Sequence, residues 1–162
     1  MTDLDFGGEP AATFSDCGKF RYTLSRTIGP GPLRHGWIML NPSTADATTD
    51  DPTIRRCIGF SRRECAASLV VTNLFAFRAT DPRDLKAAKY PVGPENDHHI
   101  GKLLETCHLV IAAWGAHAPD WRVREVVKLA GGSPLWCIGR TSKGQPRHPL
   151  MVKADQPLER WP

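Results

Sequence analysis

The segment WIMLNPSTADATTDD, residues 37–51, constrains the fold more than any other part of the chain. Its first four residues are apolar without alternation, the pattern of a short strand buried on both faces. Asn41-Pro42 then breaks the strand into a loop of small polar residues that carries Asp46, Asp50 and Asp51. A helix signal follows at once: Asp51 is an N-cap residue, and Pro52 opens PTIRRCIGFSRREC at the first helical position. Strand, polar loop and helix in that order is how an α/β domain places a ligand beyond the carboxyl end of a strand. A purely structural connection takes roughly two to six residues and this one takes about ten, which favours a functional loop.

The same grammar recurs along the chain. Residues 20–28 alternate as a strand, and the turn-rich GPGPLRHG leads from them to the strand at 37–40, predicting a hairpin with a long turn. SLVVTNL, residues 68–74, is a second apolar strand. Thr80-Asp81-Pro82 opens a short helix near 82–88. A helix over 95–107 puts Ile100, Leu103 and Leu104 on one face. HLVIAAW, 108–114, is a third strand, and a helix over 120–130 follows with an apolar stripe of Val123, Val126, Val127 and Ala130. Residues 135–138 form a fourth strand, and the piece after GRTSKGQPRHP shows no periodicity. Non-alternating strands separated by helices predict a three-layer α/β/α domain with a central, mostly parallel four-stranded sheet, extended by an N-terminal strand. Residues 1–17 read as a flexible arm and 18–162 as the single domain.

A chain of 162 residues suits one domain. No run of apolar residues is long enough to span a bilayer, and the first fifteen residues lack the basic start and apolar stretch of a signal peptide, so the expected location is cytoplasmic. The five cysteines are odd in number, widely spaced and without a CxxC, which argues against a disulfide framework and a zinc site. Cys57, Cys107 and Cys137 lie in apolar segments and read as core. The net charge of +4 is permissive for nucleic acid without being diagnostic. Arg55, Arg56, Arg62 and Arg63 read as the solvated face of one helix. Arg140, Lys143 and Arg147 crowd one late loop beside His148, where a basic loop meets phosphates.

Loops leaving the carboxyl ends of parallel strands share one edge of a sheet. Here they carry Asn41 to Asp51, Asn73 to Thr80, Gly115 to His117 and Arg140 to His148. With Phe75, Phe77 and Arg78 nearby, the edge suits a flat, hydrogen-bonding ring. Bland alternatives stand beside each member. Asn41 before proline makes an Asx turn, Asn73 ties down loop backbone, and Phe75 and Phe77 join the core. Arg78 pairs with Asp81 or Asp84, and His117 and His148 are individually weak signals. The chain has no GxGxxG after its first strand, no GxxxxGK[ST], no GxSxG and no HExxH, so no cofactor is expected. Asp46, Asp50 and Asp51 remain the alternative metal ligands.

MLNPSTAD, DDPTIRRCIGF, VVTNLFAFRATDP, VGPENDHHI, AAWGAHA and GQPRHPL together resemble the DUF1643 family, whose name brings no established activity. The order of motifs also resembles, more distantly, the uracil-DNA glycosylase superfamily. That resemblance implies that Asn41 in MLNPS positions the hydrolytic water, that Asn73 in VVTNL reads the base edge, and that His148 in RHPL faces charge on the departing base. The expected function is therefore hydrolysis of an N-glycosidic bond, releasing a damaged or deaminated base from DNA. Asn41 and Asp46 would orient water, Phe75 or Phe77 would stack on the base, and Arg78 and His117 would line the substrate pocket. Arg140, Lys143 and Arg147 would hold phosphates, with no metal or cofactor. An enzyme acting on a free nucleoside or nucleotide, and a non-catalytic nucleotide- or nucleic-acid-binding module, are the alternatives. The expected partners are thus DNA or a nucleotide, and no membrane.

Overall fold

The computed structural model describes residues 11–162. The apolar runs become strands: β1 (Ala11–Phe14), β2 (Arg21–Thr27), β3 (Arg34–Met39), β4 (Ser68–Asn73), β5 (Leu109–Ala112), β6 (Leu135–Cys137) and β7 (Glu159–Trp161). The helices are α1 (Pro52–Arg63), α2 (Pro82–Ala87), α3 (Asn96–Thr106) and α4 (Asp120–Ala130), with a 3-10 turn at Pro149–Met151. Local chemistry sets two of the helix starts. Asp51 accepts the Ile54 N–H ahead of Pro52, and Asp81 accepts the Arg83 N–H ahead of Pro82. At the end of α4, Gly131 takes the left-handed conformation (φ 58°) that stops a helix.

The strands form one mixed sheet in the order β1-β2-β4-β3-β5-β6-β7. Neighbours within β4-β3-β5-β6 run parallel, and β1-β2, β2-β4 and β6-β7 run antiparallel. A mostly parallel four-stranded sheet with one added strand therefore undercounts it. Among the described residues seven strands are present, and half of their six pairings are antiparallel. The edge strands leave no pattern in the sequence, because β1 has four residues and β7 three, too few for a period of two to register.

The expected hairpin between β2 and β3 is also corrected. β4 lies between them, and residues 28–33 bracket its entry: Ile28 and Gly29 donate to the Ala67 carbonyl, and Ala67 donates to that of Leu33. Between β2 and β3 both edges of β4 find backbone hydrogen-bond partners, and the long GPGP turn lets the chain step over it. The arm expected over residues 1–17 falls partly outside the described residues. From Ala11 to Phe14 it is a strand paired with β2, the register shifting between Thr13 and Phe14.

Each central strand is buried on both faces. Trp37, Met39, Leu69 and Val71 pack with Ile54, Cys57 and Phe60 of α1, while Ile38 and Val70 pack with Ile100 and Leu103 of α3 and Val123 and Val126 of α4. Gly36 makes the second contact possible. A Cβ there would stand 2.5 Å from Leu103 Cδ2, so the bare glycine leaves the room that the Leu103 side chain of α3 occupies against β3. Among the described residues, no helix is long and apolar enough to cross a membrane.

Candidate active site

β3, β4 and β5 are parallel neighbours, so the loops that leave their carboxyl ends meet at one edge of the sheet. Three side chains fix that edge from behind. Asn96 Nδ2, fully buried on α3, donates to the carbonyls of Asn73 (2.9 Å) and Leu74 (3.1 Å). Arg122 of α4, also fully buried, donates from Nε to the Leu74 carbonyl at 2.7 Å and pairs with Asp97 and Glu125. Asn41 Nδ2 donates to the Ala79 carbonyl at 2.7 Å, joining the loop after β3 to the loop after β4. Strand ends that would otherwise fray are thus held in place, the condition for a preorganised site.

Between these loops lies a cavity of about 190 Å³ lined by Arg21, Asn41, Ser43, Asp51, Thr53, Asn73, Thr80 and His148, with Met39, Leu40, Ile54, Val71 and Ala79 as its apolar wall. Asn41, Asn73 and His148, nominated from three separate motifs, share it. Asn73 is 2% exposed and its Nδ2 has no partner. His148 Nδ1 accepts the Leu150 N–H at 3.1 Å, which places the proton of the neutral ring on Nε2 as a donor. Burial pulls the His148 pKa below its ordinary value of 6.5, against the opposing pull of Asp51, so the neutral ring prevails at neutral pH.

Two charged residues of the cavity have no catalytic or substrate-binding role in the sequence reading, Arg21 having none at all and Asp51 only that of a helix cap or alternative metal ligand. Arg21 of β2 is 3% exposed; its Nη1 donates to the Ala45 carbonyl at 2.7 Å and its Nε has no partner. Desolvation lowers its pKa to about 10, still high enough to keep it charged at neutral pH. Asp51 Oδ1 accepts the Ile54 N–H at 2.8 Å, capping α1 while the residue lines the cavity. The cap motif was legible and already accounted for Asp51, which hid its second role. Arg21 gave no signal, because a charged residue in an alternating strand reads as solvent-facing.

Other nominated residues lie elsewhere. Asp46 does not line the cavity; its Oδ1 accepts the N–H groups of Thr48 and Thr49 in a local turn, which also holds its carboxyl below the ordinary range. Asp50 pairs with Arg26 at 2.8 Å, so the three acidic residues of the loop point to three separate tasks. Among the described residues, no group of three or more histidine, cysteine or acidic side chains is placed to hold a metal. Phe75 is core, edge-on to Trp121 at 5.9 Å, and Phe77 packs edge-on against Phe20. Neither reaches the cavity. Arg78 lies over the Phe14 ring at 4.8 Å and donates to the Gly18 carbonyl, while Asp81 pairs with Arg83 instead.

A second, wider hollow of about 600 Å³ adjoins the first across Leu40 and His148, which line both. His117, which is exposed, lines it with Trp114, Thr141, Ser142, Arg147, Leu150 and Met151. Of the basic loop, Arg140 pairs with Glu159 at 3.2 Å, Arg147 donates to the Arg140 carbonyl, and Lys143 is exposed. Arg56 and Arg63, read as a solvated face, instead flank the Phe60 ring and clamp the C-terminal segment. Arg56 donates to the carbonyls of Pro149 and Val152, and Arg63 to that of Ala154. Those contacts set the position of the turn that carries His148.

No curated protein and no solved structure matches the chain. The model of a family described as a protein of unknown function, DUF1643, matches residues 21–150, which takes in every residue lining the cavity. The chain belongs to the DUF1643 family.

Proposed function

We propose that the cavity is the active site of a hydrolase that cleaves an N-glycosidic bond and releases a damaged or deaminated base. The observation that carries this reading is the presence of Asn41, Asn73 and His148 in one cavity at the carboxyl edge of parallel strands. The parallel block β4-β3-β5-β6, with Asn-Pro after its β3 strand and His-Pro in its last loop, supports the likeness to the uracil-DNA glycosylase superfamily. Ser43 replaces the glycine of that superfamily's first motif, and the last motif lacks its phosphate-contacting serine.

In this reaction a water oxygen bonds to the anomeric carbon as the carbon–nitrogen bond breaks, and the electron pair leaves with the base. Asn41, its amide nitrogen committed to Ala79 and Pro42, keeps its carbonyl oxygen to orient the water. Asp51 takes the role expected of Asp46 and receives the water proton. His148 Nε2–H meets the charge that gathers on the departing base, and a preorganised donor of this kind contributes about 3–4 kcal/mol. Asn73 Nδ2 donates to a substrate acceptor.

A free nucleotide rather than DNA is the second reading. The commitment of Arg140 to Glu159 and of Arg147 to a backbone carbonyl favours it, as does the absence of Phe75 and Phe77 from the cavity. Oligonucleotides carrying uracil, hypoxanthine, xanthine, ethenocytosine or hydroxymethyluracil, treated with alkali after incubation, test the first reading. Release of base from the matching nucleoside monophosphates tests the second. Turnover lost in both Asn41→Ala and His148→Ala supports hydrolysis; ligand binding without turnover on any substrate leaves a binding module instead.

A further inference from the structure

We infer that the inner end of the cavity is a subsite for a compact oxyanion, held by Arg21, Asn73 and the first turn of α1. Two buried donors there lack acceptors: Arg21 Nε and Asn73 Nδ2, on residues 3% and 2% exposed. Buried donors are nearly always satisfied within a fold, and a guanidinium is the costliest to leave incomplete. Among the described residues, no carboxylate stands within ion-pair distance of Arg21.

The 12-residue helix α1 adds its positive end. Of its first N–H groups, Ile54 is given to Asp51 Oδ1 and Arg55 to the Asp51 carbonyl, while Pro52 has none. Thr53, which lines the cavity, keeps its own N–H for a ligand. Three open groups at this end are donors, Arg21 Nε, Asn73 Nδ2 and the Thr53 N–H, and one carries a positive charge, so the complement is an acceptor-rich anion. Asp51 beside them favours a group that carries one negative charge or a proton of its own, as a phosphate monoester does. A carboxylate shares the chemistry.

The inference deepens the proposed reaction, on which its substrate assignment rests. An oxyanion subsite beside His148, in a cavity of about 190 Å³, makes the substrate a small anionic molecule, such as a nucleoside monophosphate, rather than a duplex. The neighbouring 600 Å³ hollow, entered past Leu40 and His148, has room for the remainder of such a molecule.

Titration of the full chain with inorganic phosphate and, separately, with acetate tests the subsite without any turnover. Wild-type protein is expected to bind phosphate saturably. Arg21→Met is expected to weaken that binding about tenfold to a hundredfold, the worth of hydrogen bonds to a charged partner. Because Arg21 Nη1 also donates to the buried Ala45 carbonyl, the Tm of the ligand-free variant is measured alongside, so that a loss of fold is told apart from a loss of binding. Acetate binding in place of phosphate, with the same dependence on Arg21, identifies a carboxylate-bearing source. Should Arg21→Met fail to fold, Asn73→Ala carries the test and must weaken binding in the same direction. Neither anion binding to wild type, or binding unchanged in the folded variants, overturns the subsite. Phosphate binding without base release on any substrate retains the subsite and removes the glycosidic reading; base release equal from nucleosides and their monophosphates does the reverse.

Discussion

Asn41 and Ala79, 38 residues apart, are joined by a 2.7 Å hydrogen bond from the Asn41 side-chain amide to the Ala79 carbonyl. The bond does two things at once. It closes the loop after β3 onto the loop after β4, and it fixes which end of the Asn41 amide is left for the cavity. Asn41→Ala should therefore lose turnover and also about 1 kcal/mol of stability, the net worth of one such bond. Urea denaturation beside a turnover assay measures both. Activity lost with stability wholly retained would mean that the Ala79 contact contributes nothing.

Asp51 has two roles that substitutions can separate. Asp51→Asn keeps a side-chain oxygen for the Ile54 N–H and should hold stability within a few tenths of a kcal/mol while abolishing base release. Asp51→Ala should lose about 1 kcal/mol as well, the usual worth of an N-cap. If Asp51→Asn keeps full activity, the carboxylate has no chemical part to play.

Arg122 and Asp97 form an unequal pair, since the arginine is fully buried and the carboxylate half exposed. Arg122→Ala should cost about 2–3 kcal/mol, because the Leu74 carbonyl loses a charged donor inside the core. Asp97→Asn should cost less than about 1 kcal/mol, as exposed partners do. Guanidinium denaturation of the two variants gives the comparison, and equal losses would refute it.

Gly36→Ala would drive a Cβ to within 2.5 Å of the buried Leu103 side chain. A loss of about 1–3 kcal/mol is expected from the overpacking. Leu103→Ala in the same chain should recover part of it, so the double mutant is more stable than the two single losses sum to. Strict additivity would mean that α3 moves away instead.

Stability should fall on mild acidification. His35, His99 and His148 all have pKa values pushed below 6.5, with burial the leading cause in each. The unfolded chain then takes up protons first, so their contribution is complete above pH 6.5 and is lost as pH falls through that value toward the folded pKa values. Asp46 and Asp81, lowered from 3.8 by hydrogen bonds, act in the same direction only at more acidic pH. Urea midpoints taken between pH 8 and pH 4.5 should show the histidine limb, and His148→Gln should make it shallower. A flat profile over that range would contradict the assignment.

Much of the architecture was legible because its signals are local. Asp51-Pro52 and Asp81-Pro82 cap their helices through bonds that span two or three residues, and the runs at 68–73 and 109–112 are apolar enough to demand burial on both faces. The neighbours of a strand are another matter, since nothing near Arg21 or Thr27 says that β4 rather than β3 will lie beside them. β7 became a strand only by pairing with β6, where Trp161 meets Leu135 in register and packs edge-on against Trp114 at 5.0 Å.

The site divides along the same line. That Asn41, Asn73 and His148 stand at strand ends or in the last loop is readable locally, because the termination of a strand is written in the residues that end it. That these three share a cavity with Arg21 and Asp51, that Asp46 turns back on its own loop, and that Phe75 and Phe77 face the packing around them follows from the folded arrangement alone. Those outcomes depend on which loops the sheet order brings together and on how deeply each side chain is buried. Both are set by long-range pairing, such as the Arg122 contact to Leu74 and the Arg56 clamp on residues 149 and 152, and no short stretch of sequence encodes them.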